Sequence, residues 1–256
     1  YRAATLIELL HSATLIHDDV VDEADYRRSL FSIKALWKNK VSVLVGDFIL
    51  SKGMLLALEN KDYDMLEIVS KAVKQMSEGE LLQLEKSRSL NLDENIYEDI
   101  IRKKTASLIA ACCANGALST GASNEDTDKM WSIGEKVGMA FQIKDDILDF
   151  TSVKSGKVKA GDIKEQKLSL PFIYTINNSS LLEKRRLINI VKNKKLNEKS
   201  INYLIDAVVR GGGISYSVEK MKTYVDEAQK MLDDFSDNAS KEHLSSLISF
   251  ITEREH

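Results

Sequence analysis

One proline, Pro171, stands in this chain of 256 residues, with only 12 glycines beside it. Both residue types interrupt helices, proline by lacking an N–H donor and glycine by its backbone freedom. No stretch sustains the alternation of apolar and polar residues that marks a strand. The chain is therefore expected to be all-α, a single domain over residues 1–256 built of long helices. Helices are predicted over 2–22, 41–58, 63–86, 95–118 and 128–150, and four amphipathic ones over 180–191, 198–209, 216–234 and 241–254. Asp62 and Asp93 stand where N-caps belong. Gly121 closes the fourth helix, and Ser123-Asn124-Glu125-Asp126 has capping-box form. Pro171 suits the first turn of a helix, and Gly211-Gly212-Gly213 breaks the chain before 216. Residues 23–32 read as a polar connection. Residues 151–168 form the longest irregular stretch, rich in Lys, Gly and Ser, and long loops of this kind are usually functional lids or disorder.

The chemistry gathers at two acidic motifs. The first, His17-Asp18-Asp19-Val20-Val21-Asp22, ends a long apolar segment. Asp18 and Asp22 are four apart and share a helix face, with Asp19 beside them. Two such charges ~4 Å apart repel by roughly 4 kcal/mol at an effective dielectric of about 20. A cation must offset this, or one carboxyl must keep its proton. The second motif, Asp145-Asp146-Ile147-Leu148-Asp149, has the same spacing and again follows an apolar run. A single copy is more often a solvated helix end than a metal site. Two copies on different helices are a strong signal, and facing each other they would offer oxygen ligands to a hard cation such as Mg²⁺.

The bulk properties exclude some classes. A net charge of −3 gives no reason to expect a nucleic-acid partner. No stretch is read as apolar enough to span a bilayer, and Glu8, His11 and the aspartates interrupt the first apolar run as no signal peptide would. Cys112 and Cys113 are adjacent in an apolar helical stretch and cannot readily pair with each other. They read as reduced core residues of a cytoplasmic protein. The chain begins inside a helix, without a capping residue before Arg2, so a preceding segment is expected to be missing.

Positive groups accompany the acids: Arg27 and Arg28 after the first motif, Lys104-Thr105 in the fourth helix, and Lys157 and Lys167 after the second motif. Carboxylates holding Mg²⁺, ringed by Arg and Lys, suit a diphosphate. The apolar remainder of the first helix suits a hydrocarbon tail. Loss of diphosphate from an allylic carbon leaves a carbocation, which a dry apolar cavity protects from water. Taken singly these residues are bland: an arginine pair is usually a solvated loop, His11 a core histidine, and Lys157 and Lys167 surface charges. The charged clusters at 183–186 and 192–199 read as solvated faces.

Together they resemble the trans-isoprenyl diphosphate synthases, most closely the long-chain polyprenyl group. The resemblance is carried by His-Ser-Ala-Thr-Leu-Ile-His-Asp-Asp-Val-Val-Asp at 11–22, Arg27-Arg28, Val45-Gly46-Asp47, Glu78-Gly79-Glu80 with Gln83, Lys104-Thr105, Gln142 with the second motif, and Gly156-Lys157 through Lys167-Leu168-Ser169-Leu170-Pro171. It covers essentially the whole chain. It implies a helical bundle of the isoprenoid synthase type around a central cavity, and Mg²⁺-dependent head-to-tail condensation of isopentenyl diphosphate onto an allylic diphosphate. By the same resemblance Asp18, Asp19 and Asp22 hold Mg²⁺ with Asp145, and Asp146 and Asp149 support the second metal site. Arg27, Lys104, Lys157 and Lys167 would contact the allylic diphosphate, and His11 and Arg28 isopentenyl diphosphate. Thr105 and Gln142 would steady the carbocation. The family's Gly-Lys-x-x-Arg-Pro segment is absent from the chain, and Ser29 stands where the family usually has Gly.

The family is homodimeric, and Val41, Val43, Leu44 and Phe48 give the second helix more apolar residues than one core stripe needs. A peripheral membrane contact for product release is also expected. Ala13 and Thr14, one turn before Asp18, are small where short-chain members carry an aromatic. Ile7 and Leu10 are aliphatic, and Ala3 and Ala4 small again. With 54–58 as the candidate floor, the expected product is long, around hexaprenyl to octaprenyl. The alternatives are a farnesyl or geranylgeranyl diphosphate synthase, a non-catalytic partner subunit and a terpene cyclase. Two intact aspartate motifs argue against the partner, and the second motif with the arginine pair against the cyclase.

Overall fold

The computed structural model describes residues 1–22, 25–27, 30–89, 93–151, 153–154, 157–158, 169–192 and 197–253, with backbone alone at 26–27, 30, 88–89, 153–154 and 157–158. The fold is all-α. Its elements in order are α1 (Arg2–Val21), β1 (Tyr26–Arg27), β2 (Leu30–Phe31), α2 (Ile33–Glu59), α3 (Tyr63–Ser89), α4 (Glu94–Ile101), a π-helical turn (Arg102–Ala106), α5 (Ser107–Leu118), α6 (Asn124–Thr151), β3 (Val153–Lys154), β4 (Lys157–Val158), α7 (Leu170–Asn177), α8 (Leu181–Lys192), α9 (Glu198–Arg210), α10 (Gly213–Leu232) and α11 (Ala239–Glu253).

Most boundaries follow the capping chemistry in the sequence. The Asp93 carboxylate accepts the Asn95 N–H at 2.8 Å. Ser123 Oγ accepts the Asp126 N–H at 3.1 Å and donates to the Asp126 carboxylate at 2.9 Å, capping the start of α6. Gly121 takes φ +81° after α5, and the Ala122 N–H reaches back to the Ala117 carbonyl. Gly212 takes φ +76° between α9 and α10. A Cβ on Gly213 would lie 2.2 Å from the Pro171 carbonyl oxygen, so the glycine run lets α10 approach α7.

Four expectations need correction. First, α2 begins at Ile33 rather than 41, because Ser32 Oγ caps it through the Ala35 N–H; the helix then kinks at Lys38, whose φ is 67°. Second, the predicted helix 95–118 is divided by the π turn. Third, the connections 23–32 and 151–168 each contain an antiparallel pair of two-residue strands, Tyr26 opposite Phe31 and Val153 opposite Val158. Fourth, α2 is long and apolar enough to cross a membrane by length and composition, since within 41–58 only Asp47 and Lys52 are charged. Asp62 stands at the expected position before α3, but its side chain is engaged elsewhere. Its backbone carbonyl accepts the Leu66 N–H, while its carboxylate holds the Arg2 guanidinium at 2.7 and 3.0 Å.

The chain groups into two compact units, Tyr1–Lys71 with Ala114–Thr127, and Ala72–Cys113 with Asp128–His256. In the first, α1 buries Ala3, Leu6, Leu10, Ala13 and Asp19, and α2 buries only the small residues Ser42, Gly46, Gly53 and Ala57. A Cβ on Gly53 would touch Leu6 and Leu9, so α1 and α2 meet along this narrow stripe. In the second, one core gathers Tyr97, Ile133, Met139, Ile143, Leu170, Tyr224 and Ile248 among others. A smaller one gathers Phe150, Phe172, Ile176, Leu187, Leu204 and Val208. Glu94 accepts the Tyr216 hydroxyl at 2.6 Å and pairs with Lys220 at 3.2 Å, and Lys220 also meets Glu98 at 2.5 Å, tying α4 to α10. Burial opposes the Lys220 charge, but Glu98 and then Glu94 outweigh it and hold the ammonium above its usual range.

The cysteines also differ from expectation. Cys112 is exposed and Cys113 half-buried. Helix neighbours point ~100° apart, so only one can turn inward. Cys113 packs beside Gly134 of α6, and its burial, then Cys112, pushes its thiol up to about 12.

Candidate active site

The candidate site in the second unit is built around the π turn. A Cβ on Gly79 of α3 would lie 2.7 Å from the Lys104 nitrogen, and one on Gly138 of α6 2.4 Å from Ala106 Cα. Only glycine lets two helices press this closely on the turn. The extra residue of a π turn offsets the side chains after it, a device frequent at functional sites. Here it presents Lys104 and Thr105 to a cavity of about 220 Å³, which Gln83, Tyr97, Gln142, Asp146 and Ser169 also line.

A chain of hydrogen bonds runs along this wall. Thr105 Oγ1 donates to Gln142 Oε1 at 2.9 Å. Gln142 Nε2 donates to Asp146 Oδ1 at 3.1 Å. Asp146 Oδ2 accepts the Tyr97 hydroxyl at 2.7 Å and the Leu170 N–H at 3.0 Å. Asp146 is only 3% exposed, yet surrounded by donors as a buried carboxylate must be. Lys104 Nζ is held by the Glu80 carboxylate and, at 3.5 Å, by Gln83 Oε1. Glu80 Oε1 and Ser169 Oγ are buried without a hydrogen-bond partner among the described residues. Buried polar atoms in that state suit a binding wall better than a finished core.

Asp145 and Asp149 lie one residue before and three after Asp146 on α6, both half-buried. Of the site residues expected from the sequence, Lys104, Thr105, Gln142 and Asp146 line one cavity. Tyr97 and Glu80 were given no role there. The available signal for Tyr97 was its spacing, seven residues or two helical turns before Lys104.

In the first unit the other motif ends α1. Asp18 is half-buried, Asp19 is 5% exposed, and Asp22 is an exposed C-cap whose N–H donates to the Asp18 carbonyl. The carbonyl end of a helix is its negative end, so carboxylates there oppose the dipole and favour a cation nearby. His17 orients the turn. Its Nε2 lies 3.3 Å from Asp47 Oδ1 and from the Val43 carbonyl, and its ring fills the space a Cβ on Gly46 would need. This gives Val45-Gly46-Asp47 a physical reason that the sequence alone had not supplied. His11 is half-buried on α1, and its carbonyl accepts the Thr14 hydroxyl.

Arg27 and Lys157 sit in β1 and β4, where only the backbone is described; Arg28 and Lys167 lie outside the described residues, as does most of the lid expected over 151–168. Among the described residues no three His, Cys, Asp or Glu side chains form a ready metal cluster. The two motifs nonetheless present carboxylate oxygens alone, the donor set of a hard divalent cation.

A family model described as polyprenyl synthetase matches residues 1–208. The chain belongs to the polyprenyl synthetase family. Component 2 of the heptaprenyl diphosphate synthase of Bacillus subtilis (strain 168) is 30% identical over 256 residues, 99% of this chain and 72% of that protein. A short chain isoprenyl diphosphate synthase of Methanothermobacter thermautotrophicus is 32% identical over 260 residues, 99% of this chain and 79% of that protein. The crystal structure of a polyprenyl synthase from Caulobacter crescentus CB15, complexed with calcium and isoprenyl diphosphate, superposes with a TM-score of 0.91 at 32% identity; the match covers 100% of this chain and 78% of that one. This member of the polyprenyl synthetases is thus an enzyme whose relatives are prenyl diphosphate synthases.

Proposed function

We propose that the chain condenses isopentenyl diphosphate head-to-tail onto an allylic diphosphate, giving a long-chain all-trans polyprenyl diphosphate. The observation that carries this is the wall of one cavity, where a cation (Lys104), a hydroxyl (Thr105) and an amide (Gln142) stand in a row. Lys104, held by Glu80, would receive a diphosphate oxygen. Thr105 donates its O–H hydrogen bond to Gln142, which leaves the lone pairs of its oxygen available to positive charge in the cavity. Arg27, Lys157 and Lys167 would complete the diphosphate contacts, with His11 and Arg28 on isopentenyl diphosphate.

The metal is proposed to be Mg²⁺, held by Asp18, Asp19, Asp22, Asp145 and Asp149 with Asp146 in support. When bound it would neutralise the departing diphosphate. The Caulobacter crescentus relative, complexed with calcium and isoprenyl diphosphate, supports divalent metal and prenyl diphosphate chemistry in the family. Relatives named for both heptaprenyl and short-chain products share about the same identity with this chain. The long product is therefore argued from small Ala13 and Thr14, and 1–256 is read as one catalytic domain, homodimeric and cytoplasmic.

Incubation with farnesyl diphosphate, isopentenyl diphosphate and Mg²⁺ tests the reading, with products identified by mass spectrometry. An elongated linear diphosphate supports it; a cyclic hydrocarbon or no turnover refutes it. A second reading comes from the Bacillus subtilis relative, named as one component of a synthase. Turnover that appears only with a second, different chain would favour that reading.

A further inference from the structure

We propose that Tyr97 is a positioning residue of the transfer step, acting through Asp146 and Gln142 on the hydroxyl of Thr105. The inference rests on the reading of this cavity as the place where the allylic cation forms. An amide side chain can turn end for end, exchanging a donor for an acceptor. At Gln142 one orientation is selected, because Nε2 faces the Asp146 carboxylate at 3.1 Å. Asp146 is itself fixed. Its Oδ2 takes the Tyr97 hydroxyl at 2.7 Å and the Leu170 N–H at 3.0 Å, which turns Oδ1 toward Gln142.

With Nε2 so directed, Gln142 Oε1 accepts a hydrogen bond from Thr105 Oγ1 at 2.9 Å. The reversed amide would offer an N–H to Thr105, and the hydroxyl would then turn its own proton toward the cavity. The orientation of Gln142 therefore decides whether Thr105 shows the cavity its lone pairs or its proton. That distinction matters only once positive charge develops, so it acts on the transition state rather than on substrate binding. Lys104 lies outside this chain of bonds, held instead by Glu80 and Gln83.

The test is Tyr97→Phe, which keeps the ring that Tyr97, 5% exposed, contributes to the core. With farnesyl diphosphate, isopentenyl diphosphate and Mg²⁺, kcat is expected to fall about tenfold while KM for farnesyl diphosphate stays within about twofold, the mark of an interaction made only in the transition state. In a Gln142→Ala background the same substitution should have no further effect on kcat, since the two act as one unit. A general loosening of α4 would lower kcat in both backgrounds. Independently of turnover, hydrogen exchange of the Gln142 side-chain amide, followed by ¹⁵N NMR, should quicken in Tyr97→Phe. An unchanged kcat, additive losses in the double variant, or unchanged amide exchange would each overturn the proposal. A wild-type chain that fails to elongate farnesyl diphosphate would instead defeat the functional reading, and the amide exchange would still decide whether Tyr97 orients Gln142.

Discussion

Two helices of nearly equal length, α2 and α6, use their apolar residues in opposite ways. α6 turns its large ones inward: Ile133, Met139, Ile143, Ile147 and Phe150 are buried. Its glycines, Gly134 and Gly138, serve only where Ala110 and Ala106 press against it. α2 turns its small residues inward and its large ones out. Leu44 is 68% exposed, Phe48 61% and Trp37 64%. Leaving such a side chain in water forgoes roughly 1.5–3 kcal/mol relative to burial. α6 is thus accounted for by its own chain, whereas α2 carries an apolar face that asks for a cover. The same contrast separates the acids. Asp146 on α6 is clamped by donors from α4, from α7 and from its own helix, while the motif on α1 ends its helix, at the negative end of the dipole.

The largest effect is expected at the acids themselves. Asp18→Asn and Asp145→Asn should each reduce kcat by on the order of 10³-fold, as loss of a metal's electrostatic support does. Mg²⁺ titration under steady-state conditions should show weaker metal dependence in both. Matched losses would mean that the α1 and α6 motifs serve one step. A loss confined to one motif would break the symmetry between them.

Next is the cover of α2. Leu44→Glu combined with Phe48→Glu should convert the proposed dimer to monomer in sedimentation equilibrium. Leu181→Glu on α8, an equally exposed leucine at 77%, should leave the assembly unchanged. A wild-type chain that sediments as a monomer at micromolar concentration would refute the dimer. Binding of that monomer to phospholipid vesicles would then assign the face to a membrane surface, in line with the length and apolarity of α2.

Much of this was legible in the sequence because it is local. Ser123 and Asp126, Asp93, Gly121 and Pro171 act within a few residues of themselves, and the helix ends follow them. Lys104, Thr105, Gln142 and Asp146 were legible for another reason, the resemblance to a family. What was not legible depends on partners distant in the chain. Tyr97 meets Asp146 across 49 positions. Gly79 and Gly138 have meaning only through the π turn they flank, and no local pattern announces such a turn in what reads as one continuous helix. The early start of α2 was hidden because Lys38 breaks the regular dihedrals after the first turn.

A smaller and double-edged effect is expected from Ala13→Phe. Ala13 is 1% exposed and stands four residues from both Leu9, which packs at Gly53, and His17, which packs at Gly46. It therefore shares the face that meets α2. The added ring should lower stability by about 1–3 kcal/mol through overpacking, seen as a lower melting temperature. It should also shorten the product if the tail follows that face. Thr14 is half-buried and turned ~100° away. If Thr14→Phe shortens the product and Ala13→Phe only destabilises, the tail runs on the Thr14 side and the tunnel reading of Ala13 is wrong.

The smallest effect separates the two units by pH. Tyr216 and Tyr224 both belong to α10 in the second unit. Burial, then Glu94, pushes the Tyr216 phenol up to about 12; burial, then Glu98, does the same for Tyr224. A raised value in the folded state means that the fold favours the protonated phenol over its ordinary value of about 10. The stability tied to these groups is complete below pH ~10 and is lost as pH climbs through about 12. Tyrosinate absorbance should therefore appear in two steps, the exposed tyrosines first and these two with the alkaline transition. Glu94→Gln keeps a hydrogen-bond acceptor but removes the charge, so the Tyr216 contribution should move to lower pH. In a Trp131→Phe background the remaining Trp37 reports on α2 alone, and its fluorescence should follow the alkaline transition rather than the shifted tyrosine. Coincident tyrosinate curves for Glu94→Gln and wild type would show that Glu94 contributes nothing and that burial of Tyr216 acts alone.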